Sequence, residues 1–140
     1  MGWQNCHLHQ FRVGDAVYGM QDEEWDDDEI DETEVTASQA FDVERHGTYE
    51  YDFGDSWSHE VSAETRWEIG QPLKYAVCLA GENRCPPEDV GGADGYAEFL
   101  AAIADPTHPE RGSLLEWAGG SFEAAEFDVA AANASLQRVR

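Results

Sequence analysis

Two alternating stretches on either side of a short glycine-containing segment constrain the fold of this chain most strongly. Residues 48–53 place Tyr49 and Tyr51 on one side, and residues 57–67 continue the same period with Trp57 and His59. A period of two residues is typical of strands, and residues 54–56 have the length and the glycine of a three-residue hairpin loop. The sequence therefore predicts an antiparallel hairpin in which Tyr51 faces His59 across the strands and Asp52 projects from the opposite face.

Further strands precede this hairpin and helices follow it. Residues 6–13 alternate, residues 16–18 have the length of a short returning strand after a Gly-Asp turn, and residues 35–44 are predicted as a short helix. In the second half, Asp94 and Asp128 are candidate N-caps of two helices, and residues 113–117 form a third that ends at a glycine pair. This order predicts an α+β fold, with a hairpin-based antiparallel sheet from the N-terminal half packed against short helices from the C-terminal half.

Composition limits the classes of partner. The 140 residues suffice for one compact domain, and they carry 30 acidic residues against 8 Lys plus Arg, a formal net charge of −22. Nucleic acids and anionic membranes bind through basic side chains, so both are disfavoured as partners and a protein partner is expected. No apolar run approaches the length of a membrane span. Three cysteines without a secretory signal predict reduced thiols in a cytoplasmic protein.

Residues 22–34 are almost entirely acidic. Such a block repels itself, which predicts a solvated loop. Calcium binding is the alternative, because hard cations take carboxylate oxygens, but the segment lacks the glycine and the ligand spacing of an EF-hand loop.

Histidines and acids near the predicted turns offer a candidate metal site. His7 and His9 stand two residues apart, so a strand would project both imidazoles from one face toward zinc or another transition metal. The candidate ligand set is His7, His9, Asp55 and His59. The competing interpretation is structural, since His59 can be a core histidine with a hydrogen-bonded neighbour and Asp55 can close its own turn. Cys78 and Cys85 lack the spacing of a zinc knuckle.

Four ordered motifs carry a family resemblance. They are Gly2-Trp3, His7-Leu8-His9-x-Phe11, Tyr51-Asp52-Phe53-Gly54-Asp55-x-Trp57-x-His59 and Cys85-Pro86-Pro87-Glu88-Asp89-x-Gly91-Gly92. With Asp105-Pro106-x-His108 and Phe122-x-x-x-x-Phe127-Asp128 after them, the chain closely resembles the plasmid pRiA4b ORF-3-like family. The resemblance implies an association with plasmids and mobile elements, but no biochemical activity. The resemblance also predicts that the chain lacks the N-terminal strand and helix that family members usually carry. Some members carry a resolvase-like label, which the acidic composition here argues against.

Two functional hypotheses remain. The first is a non-catalytic accessory or binding module whose surface includes Asp55, His59, Glu88 and Asp89. The second is a metal-dependent hydrolase-like enzyme in which some of His7, His9, Asp55, His59, Glu88 and Asp89 hold a metal that activates water. The two hypotheses differ in whether these side chains lie close together. The enzyme needs at least three of them around one open pocket, and the binding module does not.

Overall fold

The computed structural model describes residues 2–20, 29–67, 70–71 and 74–138. The chain divides into two compact units. The sheet unit comprises Asn5–Glu68, and the helical unit comprises Met1–Gln4 together with Ile69–Arg140. The strands lie in the former and three of the four described helices in the latter, which confirms the predicted α+β class.

The sheet unit is built on five strands: β1 (His9–Val13), β2 (Ala16–Gly19), β3 (Ile30–Asp31), β4 (His46–Tyr51) and β5 (Trp57–Ser62). Their order in the sheet is β3-β2-β1-β4-β5. All neighbours are antiparallel except β2 and β3, which are parallel. A short helix, α1 (Ala37–Ala40), precedes β4 and begins with a capping box between Thr36 and Gln39. The returning strand predicted at residues 16–18 is confirmed. The helix predicted over residues 35–44 is confirmed only at Ala37–Ala40.

One face of the sheet carries an aromatic cluster. Tyr51 is completely buried, and Tyr49 is 8% exposed. The ring of Tyr49 lies 4.5 Å from that of Phe11 on β1 and 5.5 Å from the imidazole of His59 on β5, between ring centroids. These residues share a face because the pairing places them opposite one another across the three strands. Full burial of an aromatic side chain such as that of Tyr51 stabilises the unit by about 1.5–3 kcal/mol.

The register of the β4–β5 hairpin differs from the prediction by two residues. Tyr51 faces Trp57, and Tyr49 faces His59. The loop therefore spans residues 52–56, five residues instead of three, because Asp52 leaves the strand with a φ of 58°. A shift of two preserves the faces, so His59 still lies on the aromatic face as predicted. The predicted position of Asp52 within the ladder is wrong.

The acidic segment is not a loop throughout. Residues 22–28 lie outside the described residues. The next residues form β3, where Ile30 pairs with Tyr18, and a 3-10 turn at Glu32–Glu34. The prediction of a solvated loop over residues 22–34 is therefore wrong for its last five residues, because strand pairing and the turn order them.

The helical unit contains α2 (Gly92–Ala104), α3 (Arg111–Trp117) and α4 (Val129–Leu136). Asp128 caps α4 as predicted, since its Oδ1 accepts the backbone N–H groups of the first turn at 2.8 and 3.0 Å. The predicted cap at Asp94 is wrong. Helix α2 begins three residues earlier than a cap at Asp94 would place it, after Gly91 with a φ of 91°, and it has no side-chain cap bond. No helix in the described part of the chain is both long and apolar enough to cross a bilayer.

Aromatic rings also form the core of the helical unit. Phe99 of α2 is 3% exposed. Its ring packs edge-on against Trp117 and Phe122, at centroid distances of 5.8 and 5.2 Å. The guanidinium of Arg84 lies 4.8 Å above the ring of Phe122, and the Arg84 backbone N–H donates to the Ala124 carbonyl. These contacts tie the irregular residues before α2 to the segment after α3.

The cap of α4 gives a direct test of this arrangement. We expect Asp128→Ala to lower the free energy of unfolding by about 0.5–2 kcal/mol, because two N–H groups lose their acceptor. Asp128→Asn is the matched control and should leave stability nearly unchanged, since asparagine caps equally well. Urea denaturation followed by circular dichroism measures both. Equal losses in the two variants would contradict the role of the cap.

Candidate functional site

Asp52 organises the tip of the hairpin in the sheet unit. It is 9% exposed, and its Oδ1 accepts the backbone N–H groups of Gly54 and Asp55 at 3.0 and 3.3 Å. Its own N–H donates to the carbonyl of Leu8 at 2.9 Å. Asx-type turns of this kind tolerate a left-handed backbone. Asp52 therefore plays the turn-closing role that was predicted for Asp55, and it ties the hairpin to the segment before β1.

The segment before β1 brings Cys6 and His7 to the same place. Nε2 of His7 lies 3.7 Å from Oδ2 of Asp52, and its ring packs edge-on against the ring of Tyr51 at 5.8 Å. The Cys6 backbone N–H donates to Oη of Tyr51 at 3.1 Å, and its sulfur lies 3.6 Å from the same oxygen. Tyr51, buried and fixed, thus positions both residues.

His9 has a different partner. It is 8% exposed, and its Nε2 lies 3.0 and 3.2 Å from the two carboxylate oxygens of Glu32. Strand β1 begins at His9, so His7 precedes the strand instead of alternating within it. The prediction that one strand would present both imidazoles is therefore wrong, since each imidazole faces its own carboxylate.

The other two predicted ligands are held by other contacts. Nδ1 of His59 donates to the carbonyl of Tyr49 at 3.1 Å, as expected for a histidine in a sheet core. Asp55 lies in the hairpin loop, where its backbone N–H bonds to Asp52. His7, His9 and His59 thus contact Asp52, Glu32 and the Tyr49 carbonyl, respectively. Among the described residues, these contacts do not gather the predicted metal set around one centre.

Glu88 and Asp89 belong to the helical unit. The backbone N–H of Gln4 donates to Oε1 of Glu88 at 2.6 Å. Asp89 has a φ of 56° and stands at the turn that leads into α2. These contacts fix the loop before α2 against the N-terminal residues, and they place Asp89 at the rim of a groove.

The groove lies between α2, α3 and the loop before α2. Its volume is about 430 Å³. Its apolar lining comes from both helices, with Phe99 and Ala102 on α2 and Leu114 and Trp117 on α3. Trp117 is 49% exposed, whereas Phe99 beneath it is buried. The groove therefore offers an aromatic wall open to solvent on one side.

Carboxylates surround this aromatic wall. Asp89, Glu98 and Glu110 line the groove together with His108, and none of its described lining residues is lysine or arginine. Acidic groups around an aromatic surface create a negative local potential that favours cations. The geometry suits a ligand with both positive charge and apolar surface.

Close packing of Gly95 against the loop sets one wall of the groove. A Cβ on Gly95 would overlap the carbonyl oxygen of Val90 and lie 3.0 Å from its carbonyl carbon. We expect Gly95→Ala to cost about 1–3 kcal/mol, because backbone must move to relieve the overlap. Gly112→Ala in α3 is the control. Nothing lies within 4 Å of its Cβ, so thermal melting should show unchanged or higher stability. Equal destabilisation of both variants would contradict this packing.

Cys85 is half-buried beside Gly2, in the irregular segment before α2. Burial raises the pKa of its thiol above the ordinary value, and the backbone N–H of Gly2 opposes that shift only in part. A raised pKa favours the neutral thiol in the folded protein. The neutral Cys85 thiol therefore makes its full contribution to the free energy of unfolding below the ordinary thiol pKa. That contribution is lost as the pH rises through the raised pKa.

We expect iodoacetamide to alkylate Cys85 more slowly than the exposed Cys6 in the folded protein at mildly alkaline pH. Peptide mass spectrometry over time measures the two rates. In urea, all three cysteines should react at similar rates, which provides the control. Faster modification of Cys85 than of Cys6 in the folded protein would contradict its burial.

Several residues of these sites escaped the sequence analysis. Glu32 lies in the segment predicted as a solvated loop, and Asp52 was predicted to lie within the strand ladder. Neither His108 nor Trp117 was predicted to line a groove.

The fold and these sites define a small α+β protein with a histidine-bearing sheet unit and an acidic groove in its helical unit. The family model for plasmid pRiA4b ORF-3-like proteins matches residues 1–131. The chain therefore belongs to the plasmid pRiA4b ORF-3-like family, as its motifs indicated. The matched residues include the hairpin, the loop before α2 and the groove.

Two relatives support this assignment. The uncharacterized protein y4hQ of Sinorhizobium fredii is 43% identical in an alignment 140 positions long, and the match covers 96% of this chain and 68% of that protein. The crystal structure of MM3350, a protein of unknown function from Methanosarcina mazei Go1, matches with a TM-score of 0.79 and 29% identity. The match covers 92% of this chain and 74% of that chain.

Proposed function

We propose that this protein is a non-catalytic binding module, and that the groove between α2 and α3 takes a basic, partly apolar segment of a protein partner. The observation that carries the proposal is the combination of an exposed Trp117 with a ring of carboxylates in one groove. Binding grooves that combine aromatic anchors with a charged rim are common in peptide recognition.

Charge favours a cationic occupant. Asp89, Glu98 and Glu110 contribute three carboxylates to the groove, and the chain as a whole carries a net charge of −22. Such a field accelerates the approach of basic segments and disfavours acidic ones. Nucleic acid carries the wrong sign of charge for this surface.

The aromatic wall supplies an anchor. The ring of Trp117 packs edge-on against the buried Phe99, which supports it on one side. Tryptophan side chains of this kind often dominate interface energetics, and a Lys or Arg above an indole gains a cation–π contribution. A segment with lysines beside an apolar side chain would satisfy both features of the groove.

The hydrolase-like alternative lacks comparable support. Of the six residues that it uses, only Asp89 lines the described groove. His7, His9 and His59 of the sheet unit instead contact three different groups. These observations favour the binding hypothesis.

Isothermal titration calorimetry with a synthetic amphipathic peptide tests the proposal. The peptide presents lysines on one helical face and leucines on the other, and an analogue carries glutamate in place of every lysine. We expect the lysine peptide to bind and the glutamate analogue not to bind. Trp117→Ala should weaken binding about tenfold or more, equivalent to about 1.4 kcal/mol.

A charge-matched pair of variants separates the groove from general attraction. Glu98→Gln combined with Glu110→Gln should weaken binding and reduce its salt dependence. Glu34→Gln combined with Glu64→Gln removes the same charge from exposed residues outside the groove, and it should have little effect. Equal losses in the two pairs, or undiminished binding by Trp117→Ala, would overturn the proposal.

A further inference from the structure

We propose that His108 makes the groove between α2 and α3 sensitive to pH, so that a basic segment binds tightly when the imidazole is neutral and weakly when it is protonated. This inference rests on the proposed binding function and adds its regulation. It concerns the helical unit alone, because His108 and the other lining residues lie within Ile69–Arg140.

The turn between α2 and α3 fixes the position of His108. Its backbone N–H donates to the carbonyl of Asp105 at 3.1 Å, and its carbonyl accepts the N–H of Arg111 at 3.2 Å. The side chain of Arg111 also spans the turn, since its Nε donates to the carbonyl of Ile103 at 2.9 Å. The imidazole is half-buried and lines the groove. None of these bonds uses the imidazole, so they hold His108 at the groove in both of its charge states.

A further hydrogen bond depends on the charge of the ring. The backbone N–H of Glu110, the residue before α3, donates to Nδ1 of His108 at 3.3 Å. An imidazole nitrogen accepts a hydrogen bond only when it carries no proton, so this contact requires the neutral ring with its proton on Nε2. Protonation of Nδ1 removes the acceptor and places two N–H groups against each other. The contact at the start of α3 is therefore lost when His108 becomes charged.

Charged groups face His108 from the elements around it. They are Asp105 and Glu110 in the turn, Arg111 at the start of α3, Glu98 on α2 and Asp89 in the loop before α2. The hydroxyl and the N–H of Thr107 hold the pKa of Asp105 below its ordinary value, and His108 acts in the same direction to a lesser extent. An imidazolium would add positive charge to a groove whose carboxylates otherwise attract cations.

A basic segment and a proton therefore compete for the same negative field. A lysine in the groove is repelled by an imidazolium but not by a neutral imidazole. By linkage, a segment that prefers the neutral form displaces protons when it binds. Histidine is the side chain whose charge ordinarily changes between about pH 5 and 8. The affinity should be highest in the upper part of this range and decrease as the pH falls.

Calorimetry with an N-acetylated lysine–leucine peptide tests this regulation, because its lysines keep their charge throughout the range. From about pH 7.5 to about pH 5.5, we expect the unmodified chain to lose about fivefold or more in affinity. Titrations in two buffers with different enthalpies of ionisation should show that binding releases protons at mildly acidic pH.

Three variants assign the effect to His108. His108→Gln keeps an acceptor for the Glu110 N–H and all the carboxylates, so its affinity should change much less with pH. His108→Lys carries a fixed positive charge and should bind weakly throughout. His46→Gln is the matched control, because His46 is exposed on β4 of the sheet unit, and it should retain the full pH dependence.

The possible outcomes separate this inference from the proposed function. A peptide that binds at about pH 7.5, with the same pH dependence in His108→Gln as in the unmodified chain, would overturn the role of His108 and leave the binding function intact. No binding at any pH would overturn both. The ¹⁵N shift of the Glu110 amide needs no peptide. It should change with pH in the unmodified chain and much less in His108→Gln, and equal changes in the two would contradict the bond to Nδ1.

Discussion

Replacing Tyr51 by alanine should lower the free energy of unfolding by about 3–5 kcal/mol, the usual cost of deleting a buried aromatic side chain. Tyr51 is the one large side chain among the described residues that is completely buried. It packs against Tyr49 and His7, and its hydroxyl accepts the N–H of Cys6. The variant would leave a cavity in the aromatic face and release the segment before β1. Urea denaturation followed by circular dichroism measures the loss.

Tyr51→Phe separates packing from hydrogen bonding. It keeps the ring but leaves the Cys6 N–H without its acceptor, so we expect a loss of about 1–3 kcal/mol. Val43→Ala is the control for an exposed position, because Val43 is 84% exposed, and it should change stability by no more than about 0.5 kcal/mol. A loss in Tyr51→Ala no larger than that of Val43→Ala would contradict the described core.

Phe99→Ala is the second large effect that we expect. Phe99 is 3% exposed and contacts the rings of Tyr96, Trp117 and Phe122. Its removal should cost about 3–5 kcal/mol, and it should also remove the ring that supports Trp117 on one side. The same denaturation experiment measures stability, and calorimetry with the lysine–leucine peptide measures the effect on the groove.

Phe99→Leu gives the matched comparison. Leucine restores most of the buried volume but not the edge-on contacts, so we expect it to recover much of the stability and only part of the peptide affinity. Phe99→Ala with full peptide affinity in the folded variant would show that Phe99 does not position the groove. Unchanged stability in Phe99→Ala would contradict its burial.

The sheet shows what local pattern can and cannot specify. Alternation in residues 48–53 and 57–67 predicted two antiparallel strands and placed Tyr49 and His59 on one face, which the structure confirms. Alternation is insensitive to a shift of two residues, because such a shift preserves both faces. The register depends on the side chain of Asp52, which closes a turn and ends the strand early.

The helices show the same limit. The cap of α4 was predicted correctly, because it depends on residues close in sequence. The start of α2 was not predicted correctly. The left-handed Gly91 precedes the first helical residue, so the helix has already begun at Asp94. Sequence could not reveal the groove, because Trp117 meets α2 only through packing of α3 against it.

The partners of the candidate site residues were the least predictable feature. His9 meets Glu32, which lies 23 residues away in the acidic segment, and His7 meets Asp52, which lies further still. No spacing rule links such pairs, because the sheet topology brings them together only after folding. Residue types therefore indicated the chemistry of a candidate site, while the structure determined which residues share it.

The most direct test of the proposed binding function is a chemical-shift map of the ¹⁵N-labelled protein during titration with the lysine–leucine peptide. We expect the shifts to concentrate on α2, α3 and the preceding loop, with the largest at Glu98, Leu114 and the Trp117 indole N–H. Trp117→Ala should abolish the pattern. Shifts spread evenly over the acidic residues of both units, unchanged in Trp117→Ala, would show general charge attraction and contradict a binding groove.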